Sequence, residues 1–255
     1  MMNNRSENRI LLTIAFPYYN NEPALERQMT LWSSYPEPLR RKIRFIIIDD
    51  GSRDCIKLAP AAPMNLCIAR ITKDIRWNQP GARNLAMALA DTEWMYLSDL
   101  DHFLPVESCQ RLLDIEKQPD IVYYFRERSE SGEETGVHIS CFCINKFTFW
   151  NLGGYDEDFC GHYGWDDFIF YDLVKKHCKV HTFDDLYLTD VDTLKTPNMR
   201  RKHRRNKRLI RKKRALLQQG KYRTKPVLRF PWIIQTQYFF DEQQPIRGFF
   251  GSDQV

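Results

Sequence analysis

Three times before residue 105, a short apolar run stops at a cluster of polar side chains. Residues 10–16 (ILLTIAF) lead into Pro17, Tyr18, Tyr19 and Asn20; residues 43–48 (IRFIII) lead into Asp49, Asp50, Gly51 and Ser52; residues 94–97 (WMYL) lead into Ser98, Asp99, Leu100, Asp101 and His102. Runs that are apolar at nearly every position fit strands covered on both faces. Between them, residues 23–32 carry Leu25, Met29 and Trp32 at helical spacing, and residues 81–90 (GARNLAMALA) place Leu85, Ala88 and Leu89 on one helix face. Residues 66–71 add another strand. Strands alternating with helices predict an α/β fold with a parallel or mixed sheet, whose ligands bind outside the carboxyl ends of the strands. The three polar clusters sit at such ends.

Beyond residue 105, segments 121–126 and 137–145 read as strands around an acidic, glycine-containing hairpin. Residues 147–152 predict a short helix before Gly153 and Gly154, and residues 166–177 a longer one with Phe170, Leu173 and Val174 inward. Residues 209–219 suit a helix stopping at Gly220, and the aromatic, acid-free stretch 228–240 is expected to pack back on the body.

The formal charge of +5 conceals an asymmetry: residues 199–214 (MRRKHRRNKRLIRKKR) hold eleven of the 38 basic residues and no acid, so elsewhere 27 bases face 33 acids. One basic segment on an acidic body predicts a local polyanion site, a phosphate or an anionic membrane surface. It argues against a generally basic nucleic-acid protein. No apolar run approaches a membrane span, and the opening residues lack the shape of a signal peptide, so a cytoplasmic location is expected. The seven cysteines show no CxxC pair and are expected to be reduced and structural.

Asp99 and Asp101, one residue apart beyond a strand, can converge on one ion if alternate side chains point the same way. Hard oxygen ligands suit Mg²⁺ or Mn²⁺, and His102 could add a nitrogen ligand. Asp50 before a glycine can accept from a ribose or a base, and Arg83 near a helix start sits beside unpaired backbone N–H groups that favour a diphosphate.

In this order and spacing, PYYN, IIIDDGSRD, PGARNLAMALA and YLSDLDHFLP resemble the nucleotide-sugar-binding half of GT-A glycosyltransferases, nearest the inverting family 2 type. The resemblance covers residues 10–105. It implies a GT-A fold: an α/β, Rossmann-like, mixed and mainly parallel sheet flanked by helices, here with a basic helical C-terminal extension. The expected division is a catalytic domain over 1–195, with a donor half (10–105) and an acceptor half (106–195), and an extension over 196–255 packed against it. The resemblance implies that Pro17, Tyr19, Asn20, Asp49 and Asp50 surround the nucleoside and that Arg83 serves the nucleotide or diphosphate. It makes Asp99 and Asp101 the Asp-x-Asp that binds metal and sugar nucleotide.

Gly153-Gly154-Tyr155-Asp156-Glu157 and Gly164-Trp165-Asp166-Asp167-Phe168 resemble the acceptor-side region of the β-1,4-galactosyltransferase and chondroitin-synthase type. That resemblance implies Asp166 or Asp167 as the catalytic base; His162, Tyr163 and Trp165 are the expected acceptor contacts, because aromatic faces stack on sugar rings. It implies His203 as a further metal ligand and Arg204, with its basic neighbours, as a clamp on the diphosphate.

The expectation is therefore an inverting glycosyltransferase that uses Mn²⁺ or Mg²⁺, a nucleoside-diphosphate sugar (UDP-linked) and a glycan acceptor. A nucleotidyltransferase would want a glycine-rich phosphate loop after the first strand, and that turn has no glycine. A nucleic-acid-binding protein built on residues 199–214 would leave the four ordered motifs unexplained.

Overall fold

The computed structural model describes residues 9–195, 202–225, 227–242 and 244–250. The first hundred residues comprise β1 (Leu12–Tyr18), α1 (Glu22–Ser34), α2 (Glu37–Arg41), β2 (Ile43–Asp49), β3 (Asn65–Ile71), α3 (Gln79–Leu89) and β4 (Trp94–Leu97). There follow β5 (His102–Phe103), α4 (Val106–Asp114), β6 (Ile121–Ser129), β7 (Glu134–Asn145), α5 (Lys146–Asn151), α6 (Asp166–His177) and β8 (Lys179–Asp190). The described chain closes with α7 (Arg204–Gln218), β9 (Trp232–Tyr238) and β10 (Ile246–Phe250).

Ten strands form one sheet in the order β10-β9-β3-β2-β1-β4-β7-β6-β8-β5. Strands β3, β2, β1 and β4 run parallel, and β7 turns the sheet antiparallel against β4. Period-two alternation splits the apolar runs between two cores: Ile14, Phe16, Phe45 and Ile47 join Leu25, Met29 and Trp32 of α1 on one face. Ala15, Ile46 and Ile48 join Ala82, Leu85 and Ala86 of α3 on the other. Trp32 anchors the first core, its ring 5.0 Å from Phe16 and 4.4 Å from Phe45.

Three expectations are corrected. First, β1 runs through Pro17 to Tyr18, although a proline there reads as a strand end. Tyr18 O accepts from the Asp50 N–H, so Pro17 turns its missing donor to the other side, where pairing with β4 has ended at Ala15. Second, α4, β5 and β8 are elements the sequence reading did not find. β8 (KVHTFDDLYLTD) is mostly exposed or half-buried and too charged to show an apolar run. Third, the chain after residue 195 is more than a helical extension. β9 pairs antiparallel with β3, β10 with β9, and Phe230 enters the core beneath α3. Gly81 is required there: a Cβ on it would lie 2.4 Å from the Phe230 ring.

No helix among the described residues is long and apolar enough to cross a membrane. The seven cysteines form no disulfide, and Cys67, Cys109, Cys141 and Cys143 are buried.

Candidate active site

Because β1, β2 and β4 are parallel, their carboxyl ends open on one edge of the sheet, and a cleft of about 1380 Å³ lies there. Pro17 and Tyr19 line it from β1, Asp50 from β2, and Asp99, Asp101 and His102 from the β4–β5 turn. The opposite wall brings Tyr163, Trp165, Asp166 and Asp167 from the start of α6, and His203 from the residue before α7. Eleven of the expected residues thus share one cavity although they come from five segments of the chain.

The β2 end separates the two acids there. Asp49 is fully buried, accepting from the Ser52 N–H at 2.8 Å and from Arg70 at 2.7 Å, so it holds the turn and does not face the cleft. Asp50 does face it, steadied by Asn78 Nδ2 at 3.0 Å, and burial pushes its carboxyl well above the ordinary value. Gly51 makes the turn at φ +78°, where a side chain would strike the Asp74 backbone. Asn20, at φ +45°, accepts from the Arg53 N–H at 2.9 Å and lines a smaller neighbouring cavity.

The Asp-x-Asp is organised differently from a simple strand end. β4 stops at Leu97, so Asp99 and Asp101 occupy a turn and strand alternation does not aim them together. Asp99 Oδ1 accepts from Arg83 at 2.5 Å and from Gln79 at 2.6 Å. Burial opposes the charge on Asp101, but the hydrogen bond it accepts from His102 Nδ1 at 3.0 Å, together with the charges of His102 and His138, outweighs burial and holds the carboxyl below the usual range. His102 Nε2 lies 2.9 Å from Glu127, so both its nitrogens are engaged by carboxylates. Burial opposes a charge on His102, but Cys141, Asp101, Glu127 and Asp99 outweigh it and push the imidazole up to about 12.

Candidate ligand atoms gather in two overlapping groups, Asp99, His102, His138 and Cys141 in one and Asp101, His102 and Asp190 in the other. His138 stacks on His102 with ring centres 4.4 Å apart. Its buried Nδ1 has no hydrogen-bond partner and lies 3.9 Å from both Asp99 and Glu127. Asp99 beside the unsatisfied His138 nitrogen, and the adjoining Asp101–Asp190 pair, offer oxygen-rich donor sets that fit a Mn²⁺ or Mg²⁺ ion. His102 serves the site as a clamp on carboxylates, while His203 lines the facing wall and is exposed.

On the α6 side, Trp165 adopts φ +76°, and the helix opens directly with Asp166. Asp166 is 4% exposed, lines the cleft, and its Oδ2 has no hydrogen-bond partner. Burial and the adjacent Asp167 push its carboxyl well above the usual range. Asp167 accepts from the Tyr155 hydroxyl at 3.0 Å, and Arg83 reaches that hydroxyl at 3.5 Å. A line of contacts therefore runs Asp99–Arg83–Tyr155–Asp167 beneath the cleft floor.

The sequence profile described as Glycosyl transferase family 2 matches residues 13–172, more than half of the chain. The chain belongs to glycosyl transferase family 2. Similar solved structures include S. aureus TarS (14% identity, TM-score 0.57), over 71% of this chain and 60% of that one. TarS in complex with UDP-GlcNAc is similar over 72% and 59%, at 13% identity and TM-score 0.57. The mannosyltransferase PcManGT from Pyrobaculum calidifontis, in complex with GDP-Man and Mn²⁺, is similar over 71% and 57% (18% identity, TM-score 0.53). In each case the match spans less than two thirds of the neighbour's length; at these identities the likeness shows the α/β GT-A fold. Comparison with curated proteins gives no match.

Within this family 2 chain, two expected diphosphate contacts lie elsewhere. Arg83 is fully buried, with its guanidinium given to Asp99, Ser140 O and Tyr155, because helix α3 packs that position onto the sheet. Arg204 is exposed on α7 and does not line the cleft. His162 also lies off the cleft, its carbonyl held by Asn206 at 2.7 Å. The reading missed Gln79 at the start of α3, Glu127 and His138 within β6 and β7, and Asp190 at the end of β8. It also missed Trp77, at φ +53°, whose ring packs 4.6 Å from Tyr163 at the cleft. Non-glycine residues at positive φ gather at functional sites, but φ is not written in the sequence.

Proposed function

We propose that the protein transfers a hexose or N-acetylhexosamine from a nucleoside-diphosphate sugar, UDP-linked, to a hydroxyl of a glycan acceptor, with inversion at the anomeric carbon. One observation carries this reading: Asp50, the Asp99–Asp101 turn and a buried Asp166 with an unpartnered oxygen all open into the same cleft. The nucleoside lies over the ends of β1 and β2, near Pro17, Tyr19 and Asp50. Asp99 and Asp101, with Asp190 beside Asp101 and His203 from the facing wall, would hold Mn²⁺ or Mg²⁺. When bound, such an ion supplies positive charge to the departing diphosphate.

Inversion needs a carboxylate that takes the acceptor proton as the hydroxyl attacks from the face opposite the leaving group. Asp166 suits that task better than Asp167, because Asp166 lines the cleft with a buried Oδ2 that no hydrogen bond engages, while Asp167 is held by Tyr155. Its raised affinity for a proton matches a group that must accept one. Trp165 and Tyr163 offer apolar faces to the acceptor sugar, and the Trp77 ring supports that of Tyr163.

The test is hydrolysis of a panel of nucleotide sugars with and without Mn²⁺ or Mg²⁺, comparing the native chain with Asp101→Ala. Release of a nucleoside diphosphate from one donor, dependent on metal and lost in the variant, is the expected result. Intact donors throughout, with no donor binding by calorimetry, would sink the proposal.

A further inference from the structure

Helix α7 is charged against its own stability. Arg204, Arg205, Lys207, Arg208, Arg211 and Lys212 are all exposed, and among the described residues none of them pairs with an acid. At 100° per residue the six occupy one side of the helix, opposite the buried Asn206, Ile210, Lys213 and Leu217. Like charges three and four residues apart repel, and each such pair costs about 0.2–0.5 kcal/mol. The first turn of α7 holds cations and no acid, and the last turn holds no base, the reverse of what the helix dipole favours. Such an arrangement is relieved when an anion lies along the face.

The position of that face narrows the choice. α7 begins where His203 lines the cleft. Asn206 donates to the carbonyls of Phe159, His162 and Gly164, which fastens the helix to the loop carrying Tyr163 and Trp165. The 15-residue helix extends about 22 Å from this lip, much longer than a diphosphate. A helix that lies on a membrane alternates cations with large apolar side chains, whereas here the only large apolar residue exposed on α7 is Leu216, near its far end.

We infer that the outer face of α7 is a track for a polyanionic acceptor, a glycan chain bearing repeated phosphate, carboxylate or sulfate groups, which leads its end into the cleft. The inference rests on the transfer reading above and names its acceptor class.

The experiment compares the native chain with the triple variant Arg208→Gln/Arg211→Gln/Lys212→Gln, whose residues lie outside the cleft. Binding is measured to dextran sulfate, polygalacturonate and neutral dextran, to vesicles containing phosphatidylglycerol, and to a single-stranded oligonucleotide. The native chain is expected to bind the two anionic glycans and not neutral dextran, with affinity falling as salt rises. The variant is expected to bind them about tenfold more weakly or worse, while folding as stably as the native chain because repulsion has been removed. Unchanged glycan binding in the variant overturns the inference. So does binding to vesicles without binding to soluble glycans, or tighter binding to the oligonucleotide. Donor hydrolysis is read on the same samples. Its absence in both proteins overturns the transfer reading, whereas equal hydrolysis with lost glycan binding upholds the track.

Discussion

Arg83 Nη2 lies 2.5 Å from Asp99 Oδ1, and the arginine side chain is wholly shielded from solvent. The same guanidinium donates to Ser140 O at 2.7 Å and reaches the Tyr155 hydroxyl that holds Asp167. One buried cation thus fixes a carboxylate on each wall of the cleft. Arg83→Met should cost about 3 kcal/mol in stability by leaving Asp99 without its cationic partner, with only Gln79 still donating to it. Arg83→Lys keeps the charge but not the fork, so it should fold while losing donor hydrolysis. Thermal unfolding and hydrolysis measured on both variants check this.

Asp166→Asn keeps the shape of the side chain and removes its basicity. Transfer should fall by about 10²–10⁴-fold with donor affinity retained. Since burial raises this carboxyl, the native rate should climb with pH as Asp166 ionises, and that limb should be missing in the variant. An Asp166→Asn enzyme with native transfer rates would pass the role to Asp167.

Asp158 gives the acid limb of stability. Burial opposes its charge, but Lys213 at 2.8 Å and Lys225 at 3.2 Å outweigh it and lower the carboxyl from 3.8 to about 2. A lowered folded value stabilises the protein above the ordinary carboxylate range, and that part is lost as pH falls from about 4 towards about 2. Asp158→Asn should therefore unfold more readily than the native chain at neutral pH, with the difference closing in acid. Denaturant titrations at several pH values measure it.

Gly81→Ala, a change that usually favours a helix, should here be destabilising by about 1–3 kcal/mol. The added methyl would meet the Phe230 ring at 2.4 Å and Asn78 Oδ1 at 2.5 Å. Pairing it with Phe230→Leu should recover part of the loss, which a double-mutant cycle would read.

The first hundred residues were legible because their signals are local. Apolar runs gave β1, β2 and β4, and the polar residues that end them gave Asp50, Asp99 and Asp101. What escaped depends on long-range packing. Nothing near Arg83 announces that α3 will press it under Asp99, and nothing in Asp49-Asp50 says which acid will turn to Ser52 and Arg70. His138 and Glu127 reach the cleft because β7, legible as one strand of a hairpin with β6, pairs antiparallel with β4, a long-range contact with no sequence signature. The charged β8 belongs to the sheet through its partners, not its composition.

The pairing of β9 with β3 also sets a timetable. The strand that seals the β3 edge, and the Phe230 ring beneath α3, are synthesised after every residue of the cleft. As the chain leaves the ribosome, β3 therefore presents an open edge until the final segment arrives. Long-range pairing of this kind folds slowly and leaves apolar edges exposed meanwhile. The half of the fold most easily read from the sequence is thus among the last to be completed in time.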